Sequence, residues 1–289
     1  EMFRLIKIAI PAALAGGVIQ INLVVGRQVA SYFEGAVAWL NFADRIYQLP
    51  LGVVGITIGI VLLPKLSKTT SNYLNKNDNN IINRSIEFAL FFTLPATCAL
   101  LILPLPIISS LFERGAFTSI DSINTSKALF VYGIGLPAFV FQKIFSTIYF
   151  SNGNTRSPFK FALIGMLINL ILAVGLTGIL GYLAPAVGTT LSGWIIAILL
   201  WKNSHEFNFS FDTKFKNIVL KLILACVAFS CFLYSTNYLF SNVLAELTSR
   251  VFSFIIIILS SSIFYLVLCQ LIGLKKSLIG FQNSSKRKL

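Results

Sequence analysis

Charge is what this sequence has least of. Asp, Glu, Lys and Arg together make up 11% of its 289 residues, where a soluble domain carries about 25%. A globule in water needs charge on every side, so a soluble enzyme and a disordered chain are both excluded. Histidine occurs once, at His205, in a polar break. No apolar span carries two carboxylates three or four residues apart, and neither GxSxG nor a phosphate-cradling glycine loop is present. Enzyme chemistry has no residue set to run on, and neither a metal nor a cofactor is expected. The cysteines, Cys98, Cys226, Cys231 and Cys269, lie in apolar stretches without a CxxC or Cys/His pattern. That excludes a disulfide scaffold and leaves them as small hydrophobes.

Acidic residues are scarce even among the charges, 10 against 23 basic ones, for a net charge of +13. In a soluble chain such an excess points to nucleic acid. Here the charges sit in short breaks between apolar runs, so they read as topology signals and no nucleic-acid partner is expected. What the sequence does have is apolar surface: 56% hydrophobic residues and a mean hydropathy of +0.83. It comes in recurring runs of about 20 residues, the length of a membrane-spanning helix.

The runs predict an all-α integral membrane protein with about eight transmembrane helices. They fall at Ile8–Ala30, Ala36–Pro64, Ile86–Phe112, Ile123–Phe150, Pro158–Leu180, Ala184–Trp201, Ile218–Phe240 and Val251–Ile272. Turn-forming residues separate them, as in Asn77-Asp78-Asn79-Asn80 and Ser151-Asn152-Gly153-Asn154. Arg4 and Lys7 before an apolar run mimic a signal peptide, but the run continues for a full span with seven more behind it. Seventeen Lys and Arg fall on the side bearing both termini, against Arg114, Lys127 and Arg250 on the other. By the positive-inside rule both termini are cytoplasmic, the 69–84 loop is cytoplasmic, and the 113–122 loop faces outward.

Ionisable residues at bilayer depth are costly and mark function by default. Asn41, Asp44, Arg45 and Gln48 follow i, i+3, i+4, i+7, and Gly52, Gly55 and Gly59 continue the same face. All seven fall in a sector of about 120°. Such a face suits a wet cavity that gives way to close helix packing. Pro50 lies between the two halves, where a kink or local unwinding is expected. The bland alternative is that Asp44 and Arg45 neutralise groups on a neighbouring helix. Lys143 shares a face with Tyr132, Phe139, Ser146 and Thr147 and either lines the cavity or snorkels out. Arg27, near the end of its span, reads as a snorkelling residue. Asn169 and the Thr189-Thr190 pair read as helix–helix hydrogen bonds rather than an ion site. The last two spans hold no ionisable residue from Leu222 to Ala245 or from Val251 to Ile272. They are expected to form a separate hairpin that faces lipid or holds an apolar ligand.

The stretch ADRIYQLPLGVVG, Ala43 to Gly55, running on to LLPKLSK, Leu62 to Lys68, resembles the MviN/MurJ family of lipid II flippases. LFERGAFT, Leu111 to Thr118, and NTRSPFK, Asn154 to Lys160, support the resemblance, which covers about residues 1 to 200. Family members have two six-helix lobes and a terminal hairpin, and this chain resembles the second lobe with the hairpin. The resemblance implies a six-helix lobe of the MOP superfamily type over residues 1–205, a hairpin over 206–273 and a basic cytoplasmic tail over 274–289. It further implies alternating-access export of lipid II across the bacterial inner membrane, with this chain a fragment, one product of a split gene or a truncated reading frame that lacks the first lobe. Arg45 matches the family's cavity arginine, beside Asp44. The implied partners are lipid II, membrane lipids and a first six-helix lobe. Two rival readings remain: another lipid-linked oligosaccharide or drug exporter of the superfamily, and a non-transporting membrane scaffold.

Overall fold

A computed structural model describes residues 17, 20, 22–57, 62, 66, 76–239 and 247–274. Among the described residues every regular element is helical. After a helical run over 22–30, a turn delivers α1, Ala36–Thr57. There follow α2, Lys76–Ile102; α3, Pro104–Phe112; α4, Ser119–Ser151; α5, Arg156–Gly175; and α6, Ala184–Asn203. A 3₁₀ turn, Ser204–Phe207, leads to α7, Thr213–Leu239, and then α8, Leu247–Leu271.

Six stretches among the described residues are long and apolar enough to cross a membrane: 78–102, 119–151, 156–175, 177–207, 213–239 and 250–271. These six overlap the third to eighth of the expected spans. The first expected span lies mostly outside the described residues. The second is α1, whose polar stripe dilutes its apolar character.

The 33-residue α4 is the hub, packing against α1, α2, α3 and α6. Glycine positions set the closest crossings. A Cβ at Gly188 of α6 would come 3.1 Å from the Asn169 carbonyl oxygen and 3.3 Å from the Ala173 amide nitrogen of α5. Thr190 Oγ1 donates to the Val131 carbonyl at 3.0 Å, tying α6 to α4. Asn169 Nδ2 lies 3.5 Å from Thr189 Oγ1, the helix–helix bonding expected of these residues.

Several expected boundaries move, each for a local reason. The third span was expected as one run over 86–112. Instead α2 begins ten residues earlier, at Lys76, and breaks at Leu103. Pro104 disfavours a helical Leu103, and α3 restarts with proline in its first turn. The early start is polar but buried: Asp78, Asn83, Arg84 and Glu87 are all at most 8% exposed. Asn79 Nδ2 donates to the Asn208 carbonyl at 2.9 Å and Asn83 Nδ2 to the Ser210 carbonyl at 3.0 Å. α4 starts at Ser119 rather than Ile123 because Thr118 and Asp121 form a capping box. α1 runs through Pro50 without interruption, so the expected local unwinding does not occur. α7 lies along α2, and Tyr265 of α8 donates to the Phe91 carbonyl at 2.8 Å.

Candidate functional site

α1 has two unlike faces. Leu40, Ala43, Tyr47 and Val54 are buried. Tyr47 stacks on Tyr132 of α4 with centroids 5.0 Å apart and meets Phe139 at 5.5 Å. On the other face Asn41, Arg45, Gln48 and Gly52 are exposed, and Asp44 and Gly55 are half-buried. The period that puts small and aromatic residues against α4 necessarily turns the polar stripe away from it.

Within the stripe Gln48 Nε2 donates to an Asp44 carboxylate oxygen, an i, i+4 contact along the helix. Asp44 also engages the Tyr47 hydroxyl, and the charges of both Arg45 and Arg27 act on it. Asp44 and Arg45 make no direct salt bridge, in keeping with their divergence around the helix. Lys143 of α4 is exposed, and its Nζ lies 2.9 Å from where a Cβ would stand on Gly55. The bare backbone at Gly55 thus admits the amine alongside α1. Asn41, Asp44, Arg45, Gln48, Gly52, Gly55 and Lys143 therefore share one surface of the described structure. Pro50 sits half-buried within the same helix, and Gly59 lies outside the described residues.

The charges of Arg45 and Arg27 act on the one carboxylate, Asp44, while the Lys143 ammonium stands further along α1 beside Gly55. Arg presents a planar fork that binds carboxylate or phosphate oxygens in pairs. The link from Arg27 to Asp44 was not legible in the sequence, because it joins two helices. A second polar group was also missed. Glu87, 1% exposed, pairs with Arg84, which also holds Asp212 in the connector before α7. Glu87 stands second in the expected third span, and its position inside an apolar run was the available signal.

Long apolar helices packed together, one helix beside them carrying a polar stripe, define a multi-pass membrane protein. The fold is shared with a multidrug resistance MATE family transporter of the MOP superfamily in its outward-facing conformation, at 15% identity and a TM-score of 0.51. The family described as "Lipid II flippase MurJ" matches residues 1–260, and this chain belongs to that family. A probable lipid II flippase MurJ of Rhizobium tropici is 46% identical over 198 residues, 68% of this chain and 37% of that protein. The one of Rickettsia prowazekii is 35% identical over 253 residues, 86% of this chain and 50% of that protein. A solved structure of lipid II flippase MurJ in an inward closed conformation superposes with a TM-score of 0.77 at 31% identity, covering 93% of this chain and 54% of that one. The chain thus spans about half the length, or less, of the MurJ relatives it matches.

Proposed function

We propose that this chain supplies the second six-helix lobe (residues 1–205), the terminal hairpin (206–273) and a basic tail (274–289) of a lipid II flippase in the bacterial inner membrane. The observation that carries the proposal is the uncovered stripe on α1. Each ionisable group facing hydrocarbon would cost about 2.5–3.5 kcal/mol. The face therefore belongs on a water-filled cavity, and the opposite wall is a first six-helix lobe. The half-length match to relatives supports that pairing. The one-sided distribution of Lys and Arg supports cytoplasmic termini, a cytoplasmic connector at 204–212 and an outward loop at 113–118.

In this reading Arg45 grips the diphosphate of the lipid-linked precursor through its fork, and Lys143 and Arg27 add positive potential. Asp44, held by Gln48, offsets part of the positive charge of Arg45 and Arg27 between cycles and yields when the substrate anion arrives. Asn41 and Gln48 keep the surface wet. The two lobes rock about this midplane site, opening it first inward and then outward. Export of a negative head group runs with an inside-negative potential, worth about 2.3 kcal/mol per charge per 100 mV. No bond is made or broken; the work is binding and reorientation.

The test is lipid II transport by the chain together with a matching first lobe. Arg45→Ala should abolish transport with normal protein abundance, and Arg45→Lys should impair it severely, because the charge is kept and the fork is lost. Normal transport by stably expressed Arg45→Ala would refute the assignment.

A further inference from the structure

A cavity of about 690 Å³ opens where the 113–118 loop, the end of α3 and the starts of α1 and α4 meet. Its wall includes Trp39, Phe42, Phe112, Arg114, Phe117 and Asp121. The LFERGAFT stretch, which the stripe on α1 leaves without a role, builds half of that wall.

The wall is rigid. Gly35, at φ +78°, lies beneath Trp39 so closely that a Cβ there would come 2.7 Å from the ring. The indole Nε1 donates to Asp121 Oδ1 at 2.7 Å, and Tyr182 packs edge-on at 5.1 Å. Asp121 Oδ2 accepts from the Thr118 amide and hydroxyl, each at 2.7 Å. Phe42 meets Phe112 at 4.8 Å and Phe117 at 5.2 Å. Behind the wall, Glu113 pairs with Arg250 at 2.9 Å, pinning the loop to α8. Arg114 gives one donor to the Leu111 carbonyl and stands exposed at the rim.

We propose that this cavity is a saccharide-binding subsite that receives a sugar ring of the head group as it leaves the bilayer. The inference rests on the proposed function, which places this end of the bundle outside and makes the substrate a lipid-linked glycopeptide. A pyranose has flat C–H faces and a polar edge. Fixed aromatic surfaces accept the faces, and a guanidinium beside a carboxylate serves hydroxyl and acetamido groups at the edge. The charge balance selects a neutral ring over a phosphate: the wall carries one Arg, Arg114, and one carboxylate, Asp121, and Glu113 behind it is matched by Arg250. A wall locked before binding loses little freedom on binding, which suits a transient stop on an exit path.

The test uses the full chain in phosphatidylcholine nanodiscs with N,N′-diacetylchitobiose as the probe, read by saturation-transfer NMR. Transfer to the sugar ring protons is expected, falling at least fivefold in Phe117→Ala and in Arg114→Ala at unchanged thermal stability. If either variant unfolds, a nitroxide on Ser119→Cys, with the native cysteines replaced by serine, should broaden the signals of the bound sugar. Absence of transfer, equal transfer in folded variants, no broadening from the nitroxide, or stronger transfer to glycerol phosphate than to the disaccharide would each overturn the proposal. Sugar binding is measured without transport, so its failure is separate from failure of the flippase reading, which the Arg45 variants decide.

Discussion

One nitrogen of Arg84, Nη2, lies 2.8 Å from Oδ1 and 2.6 Å from Oδ2 of Asp212, while Nη1 of the same side chain pairs with Glu87. A single guanidinium thus joins the start of α2 to the connector that leads into α7. Asp212 Oδ1 also accepts from the Phe215 amide at 2.6 Å, so the same carboxylate caps the first turn of α7. Removing the arginine leaves Glu87 buried without its partner. Arg84→Ala should therefore destabilise the protein by about 3–5 kcal/mol, seen as a lowered melting temperature in detergent. Adding Glu87→Leu should recover much of that loss, since an apolar residue of similar size carries no charge to bury. A double variant no more stable than the single one would show that the lost contact to Asp212 dominates.

Two glycines of similar hydropathy should respond oppositely to alanine. At Gly188 the new methyl meets α5 backbone atoms at 3.1 and 3.3 Å and the Asn169 side chain at 2.5 Å. The helices must separate, at a cost of about 1–3 kcal/mol. At Gly52 a Cβ meets nothing within 4 Å, and alanine is the better helix former by about 1 kcal/mol. Thermal unfolding of Gly188→Ala and Gly52→Ala should bracket the wild type, and equal shifts would contradict the packing described here.

How far the sequence carried this picture follows from what each feature depends on. Apolar runs betray spans because burial in lipid acts on every residue of a run, and all six described spans overlap expected ones. The start of α2 escaped because its polar residues face the 208–212 connector, and a buried polar turn reads like a loop. The Thr118–Asp121 capping box was written locally at i, i+3 and could be read in advance. The stripe on α1 was legible because it is a periodicity within one helix. The meeting of Gly55 with Lys143 and of Trp39 with Asp121, and the action of the Arg27 charge on Asp44, depend on helix pairing, which no single segment encodes.

The Glu113–Arg250 pair should show in the acid limb of stability. Burial alone would raise the Glu113 carboxyl. Hydrogen bonds from Arg250, Ser122 and Ser119, with the Arg250 charge, outweigh it and hold the group below the ordinary carboxylate value. A carboxyl lowered by folding contributes stability above its unfolded pKa and loses it as pH falls through the folded one. Glu113→Gln should therefore be less stable at pH 7, by about 1 kcal/mol or less. The gap to wild type should close as pH falls below about 4. Parallel melting curves from pH 7 to pH 3 would contradict the sign.

Topology can be read from two exposed positions at opposite ends of the bundle. A single cysteine at Ser119 should react with an impermeant thiol reagent in intact cells, and one at Glu206 should react only after permeabilisation. The reverse pattern would invert the membrane orientation and, with it, the direction of export.

The last prediction separates placement of Lys143 from stability. Its Nζ occupies the space beside Gly55 and is the far end of a flexible chain, so Gly55→Ala displaces the amine without moving backbone. The fold should hold, with a change in stability of about 1 kcal/mol or less. Transport in the two-lobe context should nevertheless fall, because the ammonium leaves the surface that carries Arg45. Lys143→Met keeps the length of the side chain and removes the charge, so it should show the same loss. Combining the two changes should cost no more than either alone, since both remove one interaction. Additive losses would mean that Gly55 and Lys143 act separately, and full transport by Lys143→Met would remove the lysine from the site.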